Sequence, residues 1–155
     1  MNGREIYLCM KNDHYISRTF YGVYAADRML DCGKPGLYVL NTDNSGSPGT
    51  HWLLVYVTAD CDGHVFDSFG FRGLYKSRIA ASVHGKVFNQ IDVPLQSESS
   101  QTCGGYALYF ARELAMGHTT KEMLSIFAMR NTMSNDCFVQ SYLWTNFGKH
   151  LRMYE

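Results

Sequence analysis

Seven consecutive positions, HWLLVYV (His51–Val57), carry apolar side chains on both alternating sets, the pattern of a strand covered on both faces. A shorter run, LYVLNT (Leu37–Thr42), precedes it as a second strand, and the polar stretch DNSGSPGT (Asp43–Thr50) between them reads as a loop. HVFDSFG (His64–Gly70) follows after TADCDG, so the two segments form a β-hairpin. LYKSRIAASVHG (Leu74–Gly85) reads as a helix ending at Gly85, and KVFNQIDVP as a third strand stopped by Pro94. After Cys103 the apolar positions 106, 107, 110, 111 and 114 repeat at helical spacing, which predicts one buried face, with Gly117 as the stop. Further helices are expected from about 120 to 129 and around 137 to 147. Residues 1–30 read as a short helix or irregular segment, and CGKPG (Cys32–Gly36) as a turn. Strands in the middle with helices towards both ends predict an α+β fold, a mostly antiparallel or mixed sheet flanked by helices.

Composition narrows the functional classes. A chain of 155 residues fits one domain, 1–155, that buries roughly two-thirds of its unfolded surface. Fourteen basic residues balance fourteen acidic ones and no basic run stands out, so there is no electrostatic footprint for nucleic acid. No apolar stretch approaches the ~20 residues of a membrane span, and the N-terminus lacks a signal-peptide pattern. The five cysteines, Cys9, Cys32, Cys61, Cys103 and Cys137, are odd in number and scattered, which reads as reduced intracellular thiols. There is no CxxC pair; Cys61 and His64 form a lone CxxH fragment, too little for a metal site.

VPLQSESSQTCGGYALYF (Val93–Phe110) places one cysteine where a helix is expected to begin. The unpaired N–H groups and the dipole of a helix's first turn favour a thiolate there. Ser99, Ser100 and Thr102 are good capping types, and Gly104-Gly105 leave the approach to sulfur open. An isolated cysteine in such a turn is more often a buried structural thiol, and that reading is kept for the other four.

A nucleophilic thiol needs a base, and the base needs an orienting group. His14, His84, His118 and His150 lie in polar or terminal settings and read as surface residues, whereas His51 opens an apolar strand after a Gly/Pro loop. A half-buried structural histidine is an equal reading for it. Asp67 is a carboxylate among Val65, Phe66 and Phe69, so burial demands a partner. Hairpin register decides whether His51 can be that partner. A tight turn on Asp62-Gly63 would put Asp67 opposite Thr58, too far away. A five-residue loop, Thr58–Asp62, puts Leu53 opposite Asp67 and His51 at the diagonal, about 7–8 Å between backbones. The triad therefore requires the wider loop. A side-chain amide donor for an oxyanion could come from Gln96 or Gln101; the residues alone do not choose.

Together, VLNTDNSGSPGTHW, VFDSFGF and LQSESSQTCGGYALYF resemble the adenovirus maturation protease (adenain) family of cysteine endopeptidases and, at greater distance, the ubiquitin-like-protein proteases. The likeness covers most of the chain, in the order His51, Asp67, Gln96, Cys103. It implies an adenain-like fold, a catalytic His51, Asp67 and Cys103, and Gln96, seven residues before the cysteine, as the oxyanion donor. It also implies cleavage of viral precursor polypeptides at Gly-Gly-X or Gly-X-Gly sites, in the virion and the host nucleus, without a cofactor or membrane partner. Family members carry a glutamate where Asp67 stands. They are stimulated by a peptide disulfide-linked to a cysteine between the acid and the glutamine, a segment with no cysteine here. They are also stimulated by DNA, for which this neutral chain shows no footprint. Two other functions fit the same residues: release of ubiquitin or SUMO at a Gly-Gly terminus, and non-catalytic peptide binding.

Overall fold

The computed structural model describes residues 1–28, 33–47, 49–70 and 75–151; Cys32, Pro48 and Leu74 lie outside them. The chain runs α1 (Gly3–Asn12), a 3-10 turn (Ile16–Arg18), β1 (Phe20–Tyr24), β2 (Gly36–Asn41), β3 (Trp52–Val57), β4 (Gly63–Phe66), α2 (Lys76–Ser82), β5 (Val87–Asn89), α3 (Cys103–Ala115), α4 (Thr120–Ser125) and α5 (Thr132–Leu151). The five strands form one mixed sheet in the order β1-β2-β3-β4-β5. The three inner strands are antiparallel, and each edge strand joins in parallel. The fold is α+β.

Burial explains why the central strands are apolar throughout. Leu37, Val39, Leu54 and Phe66 enter the core shared with α3, while Tyr38, Leu40, Leu53, Val55 and Val65 enter a second cluster with Ile79 and Val83. Alternate residues thus serve two cores, one on each side of the sheet. The β3–β4 register is the wide one: Val57 faces Gly63, Leu54 faces Phe66, and the five residues 58–62 make the loop, closed by Thr58 N–H to Asp62 O at 2.9 Å. Continued by one step, this register sets Leu53 opposite Asp67.

Three expectations are corrected. The helix after Cys103 is buried almost all round, from Cys103 to Ala111 and again at Glu113, because it lies between the sheet and α1 and α5. Its glycines serve packing rather than access to sulfur. A Cβ on Gly104 would meet Ile6 Cδ1 at 3.1 Å, and one on Gly105 would meet Leu143 Cδ1 at 2.8 Å and Val139 Cγ1 at 3.0 Å. Thr102 occupies the cap position without a side-chain capping bond. Boundaries moved as well. β1 went unforeseen within residues 1–30, and only 87–89 of the expected third strand pair, with β4. The predicted helix at 120–129 stops at Ser125. The last helix starts at Thr132 because Asn131 Oδ1 accepts from Ser134 N–H at 3.0 Å, capping it.

Candidate active site

His51 and Asp67 sit just off the ends of β3 and β4, one residue before the first and one after the second. The hairpin register brings them together: His51 Nε2 lies 2.7 Å from Asp67 Oδ1, with the residues 6 % and 1 % exposed. Asp67 Oδ1 also accepts the Phe69 N–H at 3.0 Å, which fixes the carboxylate within its own turn. The Phe69 ring packs 4.8 Å from the imidazole, limiting its rotation. His51 Nδ1 is buried and makes no hydrogen bond of ordinary geometry. It is therefore the nitrogen left to exchange a proton with a neighbour.

That neighbour is Cys103, whose α3 packs on β3. Thiol and imidazole shift each other. Burial alone would raise the Cys103 pKa, but hydrogen bonding to His51, a backbone bond from Trp52, the imidazole's charge and a backbone bond from Gly104 outweigh it and hold the thiol below its ordinary value. Burial likewise opposes charge on His51. Hydrogen bonds to Asp67 and Cys103, and their negative charges, prevail and raise the imidazole to about 9. A lowered thiol beside a raised imidazole is the electrostatics of a thiolate–imidazolium pair. Cys9 shows the opposite: burial, Glu5 and Asp13 push its thiol up to about 11. Cys61 is half-buried and Cys137 exposed.

Gln96 is tied to the turn that follows Asp67. Gly70 adopts φ +64, and a Cβ there would meet Val93 C at 3.0 Å and Pro94 N at 3.1 Å. Glycine thus lets the turn after Asp67 lie flat on the chain leading to Gln96. Ser68 then receives the Leu95 and Gln96 N–H groups on its carbonyl, at 2.8 and 3.1 Å. Its hydroxyl donates to Gln96 Oε1 at 2.7 Å. Gln96 is 1 % exposed, and its Nε2 donates to Ser100 O at 2.9 Å. An amide nitrogen has two protons, so one donor remains. Gln101 is exposed and lines a different hollow with Gln140 and Leu143.

Sequence reasoning passed over Ser68. Its signal was its place beside Asp67: successive residues leave a strand end in opposite directions, so a small hydroxyl there faces the other side of the acid. The remaining histidines stay apart: His14, His84 and His118 are exposed, and His118 Nδ1 pairs with Glu113 at 2.6 Å. Among the described residues no group of three or more His, Cys, Asp or Glu side chains could hold a metal ion, and no helix is long and apolar enough to cross a membrane.

Neither known protein families nor curated proteins give a match to this chain. Among solved structures, the chain is similar to the crystal structure of selenomethionyl ASFV pS273R protease, at 23 % identity and a TM-score of 0.38. The overlap takes in 64 % of this chain and 42 % of that one, so the chain spans less than half of its length. So loose a likeness says nothing by itself about activity; the chain's own geometry has to.

Proposed function

We propose that the protein is a cysteine endopeptidase in which Cys103 attacks, His51 moves the proton, Asp67 orients His51 and Gln96 binds the oxyanion. The observation that supports this most strongly is the buried His51–Asp67 contact next to a thiol held below its ordinary pKa at the start of a helix. The Cys103 thiolate adds to the scissile carbonyl carbon. The oxyanion accepts hydrogen bonds from the free Gln96 amide N–H and the Cys103 backbone N–H. Collapse of the adduct breaks the C–N bond, and the His51 imidazolium donates its proton to the leaving amine. Water, deprotonated by His51, then releases the acid and restores the thiol. Asp67 keeps Nε2 protonated, so Nδ1 is the atom that gives and takes.

The resemblance of the three segments to adenain supports the finer reading: cleavage at Gly-Gly-X or Gly-X-Gly sites of viral precursor polypeptides, in the virion and host nucleus, by one domain. A cleft of about 360 Å3 is lined by Gly3, Tyr7, Tyr24, Asn41 and Trp52, the residue that follows His51. No activator can be disulfide-linked between Asp67 and Gln96, where there is no cysteine. Purified protein is to be incubated with a Gly-Gly-X peptide library, with and without DNA, beside ubiquitin and SUMO C-terminal reporters. Cleavage after glycine in the peptides supports the proposal. Turnover of the reporters alone would move it to the modifier proteases, and no turnover of any substrate would refute it.

Gln96→Ala should lower kcat on the order of 10²–10³-fold, with Gln101→Ala unchanged. The reverse ranking would assign the oxyanion to the wrong glutamine. The pH profile follows from the two shifts. The ion pair exists above the lowered Cys103 pKa and below that of His51, so kcat/KM should be bell-shaped with its alkaline limb near about 9. An alkaline limb at about 6.5, the ordinary histidine value, would show that Asp67 and Cys103 do not hold the imidazole charged.

A further inference from the structure

We infer that Asp136, on the first turns of α5, is a positioning residue for the oxyanion-binding amide of Gln96, an inference that rests on the role proposed for that glutamine. Asp136 is only 6 % exposed, and the partners of its carboxylate are neutral. Oδ1 accepts from the Tyr106 hydroxyl at 2.9 Å, and Oδ2 accepts from the Ser97 N–H at 3.2 Å. A buried carboxylate satisfied by a hydroxyl and a single peptide N–H is costly to keep. What it holds is the residue next to Gln96.

The neighbouring groups act on the same three-residue segment. Leu95 O accepts from Asn135 Nδ2 at 3.0 Å and lies 3.0 Å from the Tyr106 hydroxyl oxygen. Asn135 is itself locked, with Oδ1 accepting from Ala128 N–H at 2.9 Å and Nδ2 donating to Ala128 O at 3.0 Å. Leu95 and Ser97, one on each side of Gln96, are therefore fastened to α5 and α3. Ser68 fastens Gln96 itself to the turn that carries Asp67. Two bonds, from the Ser68 hydroxyl to Gln96 Oε1 and from Gln96 Nε2 to Ser100 O, set the amide's direction within the segment; the Asp136 bonds set where the segment stands relative to α3, and hence relative to Cys103. Asp136 touches no reacting atom in this scheme, so it acts only through Gln96.

The role can be separated from simple stability, because alkylation of Cys103 by iodoacetamide forms no oxyanion. Asp136→Ala should lower kcat on the order of 10-fold to 10²-fold, the cost of a displaced catalytic group, while KM and the rate of Cys103 alkylation stay within about twofold. In a Gln96→Ala background the same change should cost almost nothing more, since there is no amide left to position. Asp136→Asn should restore kcat. Its oxygen still accepts from Ser97, and its N–H donates to the Tyr106 hydroxyl, which then gives its own proton to Leu95 O. If Asp136→Ala does not fold, Tyr106→Phe deletes one partner with no change of charge and should show a smaller kcat loss that likewise vanishes with Gln96→Ala. Losses that multiply fully in the double variant, or an unchanged kcat in either single variant, would overturn the assignment. Unchanged kcat in Gln96→Ala alone would overturn the glutamine's role, and this inference with it.

Discussion

Cys103→Ala is expected to abolish peptide cleavage and to leave the protein folded. The loss should be on the order of 10⁵–10⁶-fold, because residues that act as one unit fail together when the attacking atom is removed. Stability should change by about 1 kcal/mol, the scale of one small buried group. The variant keeps the α3 packing, since Gly104, Gly105 and the Tyr106–Ala111 side chains make the contacts with α1, α5 and the sheet. A thermal melt beside a peptide assay checks both halves. Cleavage by the variant at a rate near that of the parent would place the chemistry on another residue.

Asp67→Asn should cost on the order of 10²–10⁴ in kcat/KM, although the side chain barely changes shape. The amide oxygen can still accept the Phe69 N–H, but the charge that helps hold His51 at about 9 is gone. With the imidazolium destabilised, the Cys103 thiol loses the partner that lowers it, and its pKa moves back towards the ordinary thiol range. The rate of Cys103 alkylation as a function of pH reads this directly. In the variant its rise should shift to higher pH, with less thiolate at neutrality. A profile that overlays the parent's would mean that Asp67 only shapes the turn.

The parts of this architecture visible in the sequence are those where local pattern and tertiary environment agree. The inner strands showed because each has a core on both sides, so every position from Leu37 to Leu40 and from Trp52 to Val55 had to be apolar or aromatic. The hairpin register could be deduced because a buried carboxylate needs a partner, and only the five-residue loop offers His51. Edge strand β1 stayed hidden, and β5 is shorter than its segment predicts, for the converse reason. They are short, interrupted or partly exposed, with burial patterns too broken to read as alternation. The glycines after Cys103 were assigned to access because nothing in the sequence reveals Leu143 and Val139 lying across them. Ser68 and Asp136 were beyond reach for a related reason. Each matters through a bond to a segment some 28 to 39 residues away, and one serine or aspartate leaves no periodic trace of such a bond.

In the proposed function one thiol among five, that of Cys103, is an activated nucleophile served by an oxyanion site. This is tested most directly by intact-mass and peptide mapping of the protein after brief treatment at neutral pH with a short peptide ending in Gly-Gly and bearing a vinyl ester electrophile. The expected result is a single adduct on Cys103, formed faster than with iodoacetamide at equal concentration and slowed in Asp67→Asn. Adducts spread over the exposed Cys137 and the half-buried Cys61, with Cys103 no faster than either, would contradict it.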